Sequence, residues 1–228
     1  MNIQSVINKL LRIDPNMKPN LCYSQNGEDL ILNRLLKDQK KGFYIDIGAH
    51  HPIRFSNTHF FYKKGWNGIN VDSMPGSMKL FELIRKRDIN LETGIASKKG
   101  TLTYYQFNEP ALNTFDIKEV NLKTQQNYKL INSLNLKVDR LENILDKYLN
   151  LYQEIDFMSI DVEGKDEEVL LSNNWDKYRP KFILIEILNR RNLDNENCRI
   201  NKYLKTKGYN LINKAYDTCI FTNNSMWC

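Results

Sequence analysis

Apolar residues in this chain take turns between two arrangements. Short unbroken runs alternate with the i, i+3, i+4 recurrence of amphipathic helices. Residues 43–47, 68–72 and 155–162 are compact apolar runs, the form taken by strands covered on both faces. Residues 89–96 and 181–188 read the same way, and residues 101–107 alternate like a half-exposed strand after a turn at 98–100. Helical spacing covers residues 30–36, 56–64, 78–84, 140–149, 165–171 and 200–207, and residues 209–215 with 219–223 read as a terminal hairpin. Residues 108–124 are polar and weakly patterned and read as loop; residues 136–138 read as an edge strand. Ile3, Val6, Ile7, Leu10 and Leu11 predict a helix over residues 1–14. The expected architecture is an α/β fold, an N-terminal helical extension (1–22) followed by one domain (23–228). Its sheet is mostly parallel, ends in an antiparallel C-terminal hairpin and carries a ligand crevice along the carboxyl ends of its strands.

Composition adds modest constraints. At 228 residues, 41% hydrophobic and 11% aromatic, the chain can bury a core without disulfides. The net charge is +6, carried by scattered lysines. It favours anionic partners such as nucleotide-linked or phosphorylated substrates, although a Lys- and Asn-rich background is the plainer account. Cys22, Cys198, Cys219 and Cys228 are widely spaced and form no C-x-x-C pair, which predicts reduced thiols and a cytoplasmic location. No apolar run approaches the roughly 20 residues of a membrane span. The oligomeric state is left open.

The acids at the strand ends narrow the chemistry. Asp46 lies in the first run, Asp72 ends the second, and Asp161 and Glu163 close the third. Gly48 is followed by Ala49, His50, His51 and Pro52, so the G-x-G-x-x-G of dinucleotide binders is missing, and no Walker P-loop occurs. A glycine bend with no pyrophosphate cradle, beside a carboxylate able to accept two ribose hydroxyls, suits S-adenosyl-L-methionine better than NAD.

Ser24-Gln25-x-Gly27-Glu28-Asp29, Asp46-Ile47-Gly48-Ala49, Asp72 and Ser159-Ile160-Asp161-Val162-Glu163-Gly164, in this order, resemble the FkbM family of S-adenosylmethionine-dependent methyltransferases. The resemblance implies a class I methyltransferase (Rossmann-like) fold of seven strands. It implies that Asp46, Gly48 and Ala49 line the methionine end of the cofactor and that Asp72 holds the ribose. Gly94, Ile95 and Ala96 would border the adenine, and Gln25 and Glu28 would belong to a segment folding over it. His50 and Asp161 join the cofactor-binding candidates, although many relatives carry another glycine where this chain has Pro52-Ile53-Arg54, which leaves the contacts of His50 and His51 open.

His50, His51 and His59 fall within ten positions of one another. Methyl transfer to a weakly acidic hydroxyl gains from a base or a metal ion, and His51 is favoured for that role. The plainer readings are that His50 caps a helix and His59 packs on a surface. Asp161 and Glu163, at i and i+2 of a strand, share one face; alternatively Glu163 caps the next helix. Glu186 ends an apolar strand at the crevice edge, or pairs with Arg190 or Arg191. His51, Asp161, Glu163 and Glu186 are the catalytic and divalent-metal candidates. The resemblance points to O-methylation of a hydroxyl of a sugar, free or nucleotide-linked, in bacterial surface polysaccharide synthesis. Nucleic-acid or other small-molecule methylation and a degenerate cofactor-binding scaffold are the rivals. No nucleic-acid partner is expected: residues 161–164 lack a [DN]-P-P-[YF]-like motif, and there is no dense arginine cluster.

Overall fold

The computed structural model describes residues 20–150, 153–187 and 198–223. The helix expected over residues 1–14 and the pairing of Glu186 with Arg190 or Arg191 lie outside them. Seven strands form the main sheet: β1 (Phe43–Ile47), β2 (Asn67–Asp72), β3 (Ile89–Glu92), β7 (Phe157–Ile160), β8 (Phe182–Glu186), β9 (Tyr209–Ala215) and β10 (Thr218–Asn223). Their spatial order is β3-β2-β1-β7-β8-β10-β9. The first five run parallel, and β10 is antiparallel to both β8 and β9. Strand order reverses between β1 and β7, which opens the crevice at their carboxyl ends.

Alternation along the strands builds two cores. Ile45, Ile47, Ile69, Val71, Met158, Ile160, Ile183 and Ile185 face α5 (Leu141–Tyr148) and α6 (Asp166–Leu171), where Leu141, Leu145, Val169 and Leu170 meet them. Tyr44, Phe157, Phe182, Leu184 and Ile220 face the other way, onto α1 (Glu28–Leu35) and α2 (His59–Lys63) through Leu32, Phe61 and the fully buried Trp66. Both faces being covered is why these strands read as unbroken apolar runs.

Three expectations are corrected. Residues 89–96 do not form one strand: β3 ends at Glu92, and β4 (Gly94–Ile95) leaves for a second sheet of order β4-β6-β5. There β6 (Leu130–Asp139) is the middle strand, not an edge, paired antiparallel to β5 (Gly100–Phe107). Residues 108–124 are not loop: they hold a 3-10 turn (Pro110–Leu112) and α4 (Ile117–Gln125), whose first turn is capped by Asp116 accepting from Lys118 N. The pattern failed because α4 buries only Val120 and Lys123. The remaining helices are α3 (Met78–Ile84) and α7 (Arg199–Thr206).

Candidate active site

Gly48 makes the bend that ends β1. Its φ is 82°, and a Cβ there would come within 1.7 Å of the Asp161 carbonyl oxygen. The absent side chain therefore lets β1 and β7 close on each other; the space is filled by protein. The next turn places His50 at φ 52°, with its amide donating to Asp72 Oδ2 at 2.9 Å. Met74 N donates to Asp72 Oδ1 at 2.8 Å. The bend after β1 and the acid ending β2 are thus joined directly.

A cavity of about 690 Å³ opens over this edge. Gly48, His50 and Asn57 form part of its floor, with Asp161, Glu163 and Glu186 beside them. Gln25, Asn26 and Glu28 close one side, and Leu112, Glu119, Leu122 and Lys123 form the roof. Asp161, Glu163 and Glu186 each bring a carboxylate oxygen within 4.8 Å of the others, a set able to hold a metal ion. Lys123 Nζ donates to Glu163 Oε2 at 2.7 Å and to Leu112 O at 3.0 Å, while Thr114 Oγ1 donates to Glu163 O at 2.7 Å. The roof is anchored on the acid cluster. Nothing in the polar sequence around Lys123 or Thr114 signals this.

Burial and mutual repulsion raise the pKa values of these crowded acids. Desolvation, then the charges of Asp161 and Glu163, pushes Glu186 far above the carboxylate range, and its Oε2 is buried without a hydrogen-bond partner. Desolvation and the neighbouring Glu163 raise Asp161 as well, although the residue is exposed at the cavity. Glu163 rises less freely, because Lys123 opposes its desolvation. Glu163 does not cap α6: it lies past the end of β7 at φ 54°, so it shares no strand face with Asp161. α6 has no side-chain cap; Asp166, its first residue, accepts from Val162 N and Gly164 N and fixes the turn that leads into the helix.

The histidines separate. His50 lines the cavity, its Nε2 is buried without a partner, and desolvation lowers its pKa, so the ring is neutral near pH 7. His51 turns back on its own loop, where Nδ1 accepts from Ile53 N at 3.0 Å and Arg54 N at 2.9 Å. It stands apart from the three acids it was expected to join. His59 is buried rather than surface-packed, against Tyr23 and Tyr62, and burial with Arg85 nearby lowers its pKa to about 4.

Strand parity removes Asp46 from the crevice. Lying between Ile45 and Ile47, it points to the α1–α2 side and accepts from Thr58 Oγ1 at 2.9 Å. Burial raises it to about 6. Below it, Arg85 is fully buried and donates to Asp88, Pro52 O, Tyr44 OH and Thr58 Oγ1. That hub, which the sequence did not reveal, ties the loop carrying His50 and Asn57 to the sheet. Ala49 is buried against Met78 and Phe81. Gly94, Ile95 and Ala96 are buried one layer back: the Cβ position of Gly94 faces Phe115, and Phe115 lines a second, smaller cavity with Asp72, Tyr104 and Pro110. That cavity measures only about 50 Å³.

The model of the methyltransferase FkbM domain matches residues 46–211, well over half of the chain. The chain belongs to the FkbM methyltransferase family. It is a methyltransferase, and its sheet is that of the expected class I fold. No curated protein matches it in sequence. Among solved structures, the METTL16 MTase domain resembles this FkbM domain with TM-score 0.49 and 12% identity, covering 97% of this chain and 79% of that one. An O-methyltransferase from Bacillus cereus in complex with SAH gives TM-score 0.43 and 13% identity, over 95% and 86% of the two chains. A putative RNA methyltransferase from Pyrococcus horikoshii gives 0.43 and 11%, over 97% and 99%.

Proposed function

We propose that this FkbM domain uses S-adenosyl-L-methionine to methylate a hydroxyl of a sugar unit destined for a bacterial surface polysaccharide. The observation that carries the reading is His50, a residue that lines a cavity walled by carboxylates and whose Nε2 is buried without a partner. A donor bearing a sulfonium and an α-ammonium fits such a wall, and a polyol acceptor offers the hydroxyl donors that carboxylates accept. Asp72, with Gly48 and His50, is the group suited to the ribose side. The small cavity at Asp72 is narrower than a nucleoside, so the roof over residues 110–115 lifts when the donor enters.

When bound, the cofactor supplies an electrophilic methyl group. The protein aligns the acceptor oxygen, with Asn57, Glu28 and Glu186 positioned to take its hydroxyls. His50 Nε2 receives the proton that the hydroxyl loses, a transfer for which a neutral imidazole is suited. Asp161, Glu163 and Glu186 are the set that would hold a divalent ion in exchange for the Lys123 ammonium. The lysines that favoured a nucleotide-linked acceptor are not in the cavity wall, where Arg54 and Lys123 are the cations among the described residues. Arg54 already pairs with Glu109 at 3.4 Å. The reading therefore favours a free or glycan-borne sugar over a nucleotide-linked one.

Incubating the protein with labelled cofactor and pools of sugars, oligosaccharides and nucleotide sugars tests this by mass spectrometry, with and without chelator. One added methyl on a sugar hydroxyl, lost in His50→Ala, is expected; its loss with chelator assigns the metal. Tight cofactor binding with no methylated sugar in any pool would overturn the acceptor class.

A further inference from the structure

The FkbM domain carries its charges at opposite ends of its sheet. The cavity at the carboxyl end is walled by seven carboxylates against Arg54 and Lys123. The net +6 of the chain therefore has to be gathered elsewhere. Cations gather in the turns that feed β1, β2 and β3. Lys37, Lys40 and Lys41 sit between α1 and β1, Lys63 and Lys64 between the last residue of α2 and β2, and Lys86 and Arg87 between α3 and β3. All of these are exposed. Because β1, β2 and β3 are parallel neighbours, the three turns stand side by side on one edge. Two acids share those turns: Asp38 is exposed, and the side chain of Asp88 is fully buried against Arg85. Beyond these three turns the edge is mixed: Glu154 and Asp156 stand before β7, and Asp176, Arg179 and Lys177, the last paired with Asp146, before β8, while Lys205 and Lys207 precede β9.

Helix ends account for a small part of this. Each of the three helices entering these turns presents about half a negative charge at its C-terminus. One or two cations would balance them, not seven.

We infer that this amino-end edge is a docking surface for an anionic lipid bilayer. Six of the seven cations in the first three turns are lysines, compact charges suited to a diffuse headgroup field rather than to the bidentate recognition that arginine supplies. A single-stranded nucleic acid would look for open aromatic faces to stack on. Here the nearby rings of Phe60 and Tyr62 are half-buried and already face Lys64 and Arg87. Leu83, in the last turn of α3 beside Lys86, is 69% exposed and offers an apolar tip for shallow insertion. Docking by this edge holds the cavity on the far side of the sheet, open to an acceptor approaching from solution or from a growing glycan.

Vesicle co-sedimentation tests the inference independently of any methyl transfer. The wild-type protein is to be mixed with phosphatidylcholine vesicles and with vesicles containing phosphatidylglycerol. It should sediment with the anionic vesicles, be released by high salt, and stay in solution with the neutral ones. Lys37→Glu, Lys40→Glu, Lys41→Glu and Lys86→Glu combined should weaken the partitioning at least tenfold, roughly what loss of a few surface-proximal charges costs. A control with Lys98→Glu, Lys99→Glu, Lys129→Glu and Lys137→Glu changes the net charge equally but sits on the smaller sheet and its turns. It should retain most of the binding, and circular dichroism of both variants shows that they fold. Equal sedimentation with neutral and anionic vesicles, or equal loss in both variants, overturns the proposal. Tighter binding to a single-stranded RNA than to the anionic vesicles overturns it in favour of a nucleic-acid partner.

Discussion

Arg85 and the acid cluster of Asp161, Glu163 and Glu186 lie below and inside the same crevice, and each buries charge. Around Arg85 every direction is used: Asp88, Tyr44, Thr58 and the Pro52 carbonyl take its donors, and Asp88 also accepts from Gly68 N and Asn70. Around the cluster the balance is incomplete. One ammonium meets three carboxylates, and atoms of Glu186 and His50 are buried with nothing to bond. A buried charge that is fully paired serves the fold, whereas one left unpaired at a cavity wall is held ready for a ligand. The two regions should therefore fail differently when altered.

Arg85→Ala leaves Asp88 buried without its cation and should cost about 3–5 kcal/mol of stability. Chemical denaturation checks this; a loss under about 1 kcal/mol would mean that the hub is not what holds the loop. His50→Ala should leave the unfolding midpoint nearly unchanged and cut turnover by about 10²–10⁴-fold. His51→Ala, which removes only a turn contact, should cost less than about tenfold, and steady-state rates of the two variants compare them directly. Lys123→Met strands Glu163 and unpins the roof. It should cost about 1–3 kcal/mol and hasten amide hydrogen exchange over residues 112–125.

The smallest effect concerns the pH slope of stability. The folded-state pKa of Glu186 lies above its unfolded value, so the folded chain keeps a proton that the unfolded chain releases. Stability from this source is complete below the ordinary carboxylate range and drains away as pH rises above it. Thermal scans from about pH 5 to pH 8 should show a falling midpoint, and Glu186→Gln should flatten that fall while changing stability at the lower pH by less than about 1 kcal/mol. An unchanged slope would show that Glu186 is ionised in the folded state.

Strands β1, β2, β7 and β8 of the main sheet were legible in the sequence because they are covered on both faces and read as unbroken runs, whereas the largely exposed β9 was legible through its hairpin with β10. The smaller sheet was not. Most of β6 is exposed and shows no clean alternation, and α4 anchors the roof through Val120 and a lysine. At the site, the acids were legible because they end strands. Which histidine enters the cavity was not, since that depends on the left-handed turn at His50. Arg85 sits in an Arg-Lys-Arg-Asp run that looks like ordinary solvent-facing charge, so nothing in the pattern marks it as the most enclosed cation at the site.

The contact between Gly48 and the Asp161 carbonyl bears on how sequences like this one are sorted into active and inactive. A descendant that lost its methyl donor would still need two neighbouring strands to meet without a side chain between them, and would keep that glycine for architectural reasons. Retention of the D-x-G signature therefore says little about turnover. An imidazole at position 50 and a carboxylate at position 72 are the more telling survivors.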